Sequence, residues 1–465
     1  MTVRRLSTLL LPLLLVVSVS SHGQAGDEAG ASGGLSLEAQ GSQSVLAVGR
    51  RQTAWVRVGL QPVSSQRMSR RALVNLAIVF DRSGSMQGQK LQYARDAAIG
   101  ALNLLASDDI VSVIAYDSDV NVLVPATKMT ERDKIVDAIR GIEAGGNTAL
   151  FAGLSKAAAE IRKFQDPRRV NRIIVLSDGL ANIGPTSPSE LGSLATSLKK
   201  ENISVSTLGL GLGYHEDLML ELASRSGGNH HFIEQEQNLR TIFLREFQDL
   251  LSVVAQDIEV QVRLPKTLRP LRVLGNSAEI SDQSAHSTIS QVYGSQTRSI
   301  LLEVDVPAEF TQTPVDPASG GTTLAAIEVT YRNMQTGARE QRTGEVLIRF
   351  SDDATELQNS VNSGVMADIV AMIGSEQSKL ATQLLDQGDV DGCRAMLDQN
   401  RKFLAWYAEE LQCEKLEESA KMNGRQLEAL NGVQSNDAPA AVLSRKVMRA
   451  YQFSSDQQQP VSGRQ

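Results

Sequence analysis

A doubly wound, mostly parallel α/β sheet inserted in a β-sandwich-like domain, with a helical segment after it, is the fold class predicted for this 465-residue chain. Three observations predict it. Between 73 and 254, short β-branched apolar runs alternate with amphipathic stretches of helical length, the pattern of a parallel sheet covered on both faces. On either side, at 35–60 and 255–352, hydrophobicity alternates at period two, as in half-buried strands. From 355 to 432 the period is helical. A chain of this length exceeds what one core covers, so several domains are expected.

Arg4 and Arg5, the apolar stretch 9–19 and the small residues Gly23-Gln24-Ala25 read as an export signal over 1–25. That stretch is too short to span a bilayer and no later segment is longer, so no transmembrane segment is expected after signal removal. No cysteine follows it to carry a lipid anchor. The expected location is the periplasm or the exterior. Residues 26–34, rich in Gly, Ala and Ser, read as a flexible leader. Residues 35–72 hold strands such as Thr53-Ala54-Trp55-Val56-Arg57-Val58 and end in a polar, basic linker at 61–71. These strands are too few to bury a core alone. They are expected to join those at 255–352, which makes 73–254 an insertion in the β domain.

Within 73–254, strands are expected at 73–80, 110–115, 172–176 and 204–210. Helices are expected at 90–105, 131–142, 150–163, 187–200 and 216–226, with a closing helix at 237–254. Thr130 before Glu131, and Ser187 before Pro188 and Glu190, are helix-start signals. In 255–352, Ile258, Val260, Val262 and Leu264 share one face, and loops rich in Gly, Pro, Ser and Thr separate later strands, as in an antiparallel sandwich. Helices at 361–385, 390–411 and 414–430, with Gly388-Asp389 as a turn, form the segment 355–432. The tail 433–465 is polar and Gln/Ser-rich, and is expected to be disordered.

With 46 Lys and Arg against 53 Asp and Glu, the formal charge is −7. A phosphate backbone needs a basic surface, so nucleic acid is excluded as a partner class. The basic run Arg168-Arg169-Val170-Asn171-Arg172 reads as a loop entering a strand. Cys393 and Cys413 are the only cysteines. On one continuous helix they would stand about 30 Å apart, out of disulfide reach, so pairing requires a turn between them. The sequence leaves both arrangements open.

The chemistry gathers at strand ends, where open parallel sheets bind ligands. The run Ile-Val-Phe-Asp-Arg-Ser-Gly-Ser-Met at 78–86 ends in Asp81, Ser83 and Ser85. Asp178 follows the strand at 172–177, with Gly179 permitting a tight exit. Thr148 lies in the loop Gly145-Gly146-Asn147-Thr148 before a helix. Two carboxylates and three hydroxyls from three loops suit Mg²⁺ or Mn²⁺, octahedral ions that keep some water ligands; Ca²⁺ is a further candidate.

This pattern resembles the von Willebrand factor type A domain and its metal-ion-dependent adhesion site. The Asp-x-Ser-x-Ser of that family matches Asp81, Ser83 and Ser85; its loop threonine matches Thr148 and its later aspartate matches Asp178. The resemblance covers about 73–254. It implies a Rossmann-like sheet and a site whose ion keeps one position for a carboxylate from a protein partner. The partner class is therefore a protein with an exposed Asp or Glu. Arg82 is expected to point away into a surface ion pair, with engagement of an acidic partner as the functional alternative. The wider layout looks like secreted bacterial type A proteins and, loosely, the inter-alpha-trypsin inhibitor heavy chains.

Other signals read as structural. Gly209-x-Gly211-x-Gly213 lacks the dinucleotide spacing and reads as a turn after a strand. His230 and His231, adjacent on a strand, face opposite ways and do not form a metal pair. Asp117 and Asp119 read as a polar turn. A metal-dependent hydrolase and a scaffold with a loop-locking metal are the alternative classes. There is no Gly-x-Ser-x-Gly elbow, and no motif ties a histidine to Ser83 or Ser85. The sequence is therefore read as an exported, non-enzymatic, metal-dependent binding protein in adhesion or envelope assembly.

Overall fold

The computed structural model describes residues 33–63, 71–312, 320–435 and 438–459. The export signal at 1–25, most of the leader, most of the linker at 61–71 and the last six residues lie outside the described residues. The chain opens with β1 (Gly34–Gly41), β2 (Val45–Ala47) and β3 (Gln52–Val63). It then enters an α/β unit: β4 (Leu73–Asp81), α1 (Gln89–Leu102), β5 (Ile110–Tyr116), β6 (Val120–Lys128), α2 (Arg132–Arg140), α3 (Leu150–Arg162), β7 (Arg169–Ser177), α4 (Pro188–Lys200), β8 (Ile203–Leu210), α5 (Glu216–Ser226), β9 (His230–Ile233) and α6 (Leu239–Leu251).

The order of this sheet is β6-β5-β4-β7-β8-β9, parallel except for the edge strand β6. Every residue of β4 after Leu73 is buried, as expected of a central parallel strand with helices on both faces. One apolar core packs Ile78 and Phe80 against α1 and α6 through Ala97 and Phe243. The other packs Ala77 and Val79 against α3 through Leu154 and Ala158. The closing helix ends earlier than its apolar pattern suggests. Val253 already belongs to the next strand, because Val253, Val254 and Ala255 are buried as sheet residues.

The sandwich follows with β10 (Val253–Arg263), β11 (Arg269–Leu274), β12 (Ala278–Ser281), β13 (Ser284–Tyr293), β14 (Arg298–Val306), β15 (Thr322–Asn333) and β16 (Arg339–Ser351). Its sheets run β1-β3-β14-β11 and β12-β13-β10-β15-β16-β2. β3 pairs with β14 in the register Val58↔Ile300 and Val56↔Leu302, so strands from before and after the α/β unit share one sheet. Val56, Val58, Val260, Val262, Ile300 and Val329 lie in one core.

Helices α7 (Ala354–Asn359), α8 (Ser363–Asp386), α9 (Val390–Glu410), α10 (Glu414–Ala429) and α11 (Pro439–Asp456) complete the chain. The last corrects, for Pro439–Asp456, the expectation that the tail 433–465 is disordered. α11 buries Ala441 and Met448 in the helical core and Ala450 in the α/β core, enough apolar contact to order a polar segment. α9 runs unbroken from beside Cys393 to just before Cys413, and both thiols are free. No helix among the described residues is long and apolar enough to cross a membrane.

Candidate metal centre

β4 and β7 are parallel neighbours in the register Phe80↔Leu176, so their carboxyl ends meet. That pairing brings Asp81 beside Ser177 and Asp178, almost a hundred residues later. Asp81 Oδ2 accepts a hydrogen bond from Ser177 Oγ at 2.5 Å, and Oδ1 accepts the backbone N–H of Ser83 at 2.9 Å. Ser83 Oγ lies 3.2 Å from Ser85 Oγ, and Ser85 Oγ donates to Asp178 Oδ1 at 2.6 Å. Asp81, Ser83, Thr148 and Asp178 are buried, whereas Ser85 is exposed at the mouth.

The Thr148 loop is tied to the same place by its backbone. Gly145 N–H donates to the Arg82 carbonyl at 2.7 Å, and Gly84 N–H donates to the Gly146 carbonyl at 3.1 Å. Thr148 N–H donates to Asn182 Oδ1 at 2.8 Å. The three hydroxyls converge on Gly179. A Cβ at that glycine would stand 3.3 Å from Ser85 Oγ, 3.6 Å from Thr148 Oγ1 and 4.0 Å from Ser83 Oγ. The residues present fit a hard cation: three hydroxyls gather at a glycine that lacks a side chain of its own, and hydrogen bonds of Ser83 and Ser85 tie them to the carboxylates of Asp81 and Asp178. Burial pushes the Asp81 carboxyl above its usual range. Hydrogen bonds from Ser177 and Ser83 oppose that shift, and the nearby charge of Asp178 adds to it.

Three participants escaped the sequence reading: Ser177, Asn182 and Lys90. Lys90, the second residue of α1, places Nζ 2.5 Å from Asp178 Oδ2. A lysine in the first turn after the Asp-x-Ser-x-Ser run was the available signal. Arg82 Nη2 pairs with Asp117 Oδ2 at 2.9 Å; the ion pair expected of it forms, but largely buried rather than on the surface. Asp117 and Asp119 form a turn closed by Asp119 N–H to Asp117 Oδ1 at 2.8 Å.

Beside the site, Leu180 is 57% exposed and Leu212 45% exposed. Leu212 lies in the loop after β8. In that loop Gly213 passes so close to the Asp178 carbonyl that a Cβ would be 3.1 Å from it. Gly211 has φ +71°, so this glycine series is turn geometry. His230 and His231 face opposite sides. His230 Nδ1 lies 2.8 Å from Thr207 Oγ1, and His231 Nε2 lies 3.1 Å from Glu246 Oε2. Among the described residues no group of three His, Cys, Asp or Glu is placed to hold a metal. The cradle at Gly179 relies on hydroxyls instead.

The model of the von Willebrand factor type A domain matches residues 75–247. An uncharacterised protein of Synechocystis is 25% identical over 340 residues, covering 70% of this chain and 78% of that protein. The human inter-alpha-trypsin inhibitor heavy chain H2 is 30% identical over 166 residues, 33% of this chain and 17% of that one. Among solved structures, a von Willebrand factor type A protein of Catenulispora acidiphila superposes with a TM-score of 0.68 at 15% identity, covering 92% of this chain and 98% of its own. That likeness extends the shared fold to the flanking strands and helices. Type A domains are commonly metal-dependent protein-interaction modules that bind a divalent cation at their adhesion site.

Proposed function

We propose, from a chain that carries a von Willebrand factor type A domain over residues 75–247, that it is an exported, non-enzymatic protein that captures an acidic group of a protein partner through a divalent cation. The observation that carries this reading is the convergence of Ser83, Ser85 and Thr148 on Gly179 beside the carboxylates of Asp81 and Asp178. Asp81, Ser83, Ser85, Thr148 and Asp178 would hold the ion, and the small set of oxygen donors suits Mg²⁺, or Mn²⁺, as an octahedral ion that keeps water ligands, with Ca²⁺ a further candidate.

A bound divalent ion would supply a positive centre with an incomplete protein shell, to which a partner Asp or Glu can add. The chain's own contribution is to fix the donors. Ser177 and the Ser83 backbone orient Asp81, Ser85 anchors Asp178, and Asn182 holds the Thr148 backbone. Leu180 and Leu212 offer apolar contact to residues flanking the partner's carboxylate. The Ser83 and Ser85 hydroxyls lie 3.2 Å apart and Ser85 Oγ donates to Asp178 Oδ1 at 2.6 Å, a cluster of oxygen donors that suits ligands of a hard cation. Export rests on the segment 1–25.

The test is affinity capture from the native cell surface with Mg²⁺ or EDTA, using Asp81→Ala as control. Capture and a Mg²⁺-dependent thermal shift are expected for the wild type, and both are lost in the variant. If Mg²⁺ and EDTA leave both unchanged, the metal reading fails. Hydrolytic turnover abolished by Asp81→Ala would replace binding with catalysis.

A further inference from the structure

We propose that Lys90 is an internal competitor for the cation, sharing the Asp178 carboxylate with the ion and thereby setting how tightly the site loads and how positive it is once loaded. The proposal rests on the metal reading above. Asp178 has a fully buried side chain with both oxygens engaged, Oδ1 by Ser85 Oγ at 2.6 Å and Oδ2 by Lys90 Nζ at 2.5 Å. An ion that takes Asp178 as a ligand therefore meets an ammonium already on the same carboxylate.

The position of Lys90 is unfavourable for helix α1 itself. A cation in the first turn opposes the helix dipole, and no acidic residue in that turn compensates it. The preceding Gly88, at φ +87°, caps the helix without a side-chain hydrogen bond. What holds the ammonium there is Asp178; its other contact, with the Ser85 carbonyl, is a long 3.5 Å. The Lys90 side chain is also 31% exposed, so the ammonium has room to yield to an ion at Asp178 while staying at the mouth of the site.

Charge bookkeeping gives the consequence. Asp81 and Asp178 contribute two negative charges and Lys90 one positive, leaving −1 before a divalent ion binds and +1 afterwards. Without Lys90 the same site would run from −2 to 0. Lys90 thus weakens ion binding but leaves the loaded site positive toward an incoming carboxylate. Two cations sharing one carboxylate repel enough, even at the dielectric of water, to change an equilibrium constant on the order of tenfold.

The test is isothermal titration of the full chain with Mg²⁺ for wild type, Lys90→Met, Lys90→Arg and Asp81→Ala, with folding of each checked by circular dichroism. Lys90→Met is expected to bind Mg²⁺ about tenfold more tightly, Lys90→Arg close to wild type, and Asp81→Ala not at all. If the wild type binds Mg²⁺, Asp81→Ala does not, and folded Lys90→Met binds no more tightly, the competitor role alone is overturned. If neither wild type nor Lys90→Met binds Mg²⁺, the metal reading falls and this proposal with it.

Discussion

An alanine at Gly179 would place its Cβ 3.3 Å from Ser85 Oγ, in the space the three hydroxyls share. Gly179 does not have a positive φ, so alanine suits the backbone there. Gly179→Ala is expected to keep unfolding stability within about 1 kcal/mol of wild type without ion. It should weaken Mg²⁺ binding by at least about tenfold; titration calorimetry and urea unfolding check both halves. A second residue-scale prediction concerns His230, where burial, followed by the charges of His231 and Lys446, pushes the ring down to about 3 from 6.5. The unfolded chain takes up a proton near pH 6.5 that the folded chain refuses until about pH 3. The stability this neutral histidine contributes is therefore full above pH 6.5 and drains as pH falls toward 3. Between pH 7.5 and pH 5.0 wild type should lose about 2 kcal/mol relative to His230→Gln, read from urea midpoints. The five proposed ligands were legible because each sits at a strand end or in a loop recognisable from its own neighbours. Lys90 and Ser177 were not, because their partners Asp178 and Asp81 lie 88 and 96 residues away and meet them only through the β4–β7 pairing.

Helix α11 shows the same limit one scale up. It buries Ser444, Lys446 and Gln452 alongside Ala441, Met448, Ala450 and Phe453, and it packs on two sides. No single apolar stripe results, so the segment read as a polar tail, although Pro439 in the first turn marked a helix start. The parallel strands were easier to read because burial on both faces leaves continuous apolar runs. What fixes α11 is Glu216, at the start of α5. Its carboxylate meets Lys446 Nζ at 2.5 Å, Arg445 Nε at 3.3 Å and the Arg449 guanidinium. Lys446 also donates to the Tyr214 carbonyl at 2.9 Å, in the loop that leads back to Gly213 and the Asp178 backbone. Glu216→Gln would leave the buried Lys446 ammonium without its counter-charge. Stability is expected to fall by about 2–4 kcal/mol, measured by urea unfolding, with earlier proteolytic release of α11. An unchanged midpoint would show that the apolar contacts of α11 and its other polar ties, such as Arg449 to Asp386 and Gln452 to Thr382, hold it without Glu216.

At the scale of the whole molecule, the inserted domain is joined to the sandwich by more than its two chain connections. Arg172 on β7 is fully buried and pairs with Glu246 on α6 at 2.7 Å. Its Nη2 donates to Gln291 and, at 3.2 Å, to Tyr293 Oη, both on strand β13 of the sandwich. Burial pushes the Glu246 carboxyl up, but Arg172, His231 and Ser206 outweigh it and hold it at about 2, so the pair stays charged across the working pH range. Both partners of this pair lie in the α/β unit, so the contacts that cross to the sandwich are those to Gln291 and Tyr293, and losing them would leave the buried guanidinium short of acceptors. The domains should therefore unfold together, and the two tryptophans can test this. Trp55 lies on β3 and Trp406 on α9, so tryptophan fluorescence reports on the flanking regions and not on the α/β unit that carries the cradle. An ion at 100 times its dissociation constant adds about 2.7 kcal/mol to whatever unfolds with its site. Under Mg²⁺ the tryptophan-detected urea midpoint is expected to shift by the same amount as the circular dichroism midpoint. It should not shift in Asp81→Ala. A Mg²⁺ shift seen by circular dichroism and absent from the tryptophan signal would mean that the Arg172 network does not couple the domains, and that ion binding is felt only within the type A domain.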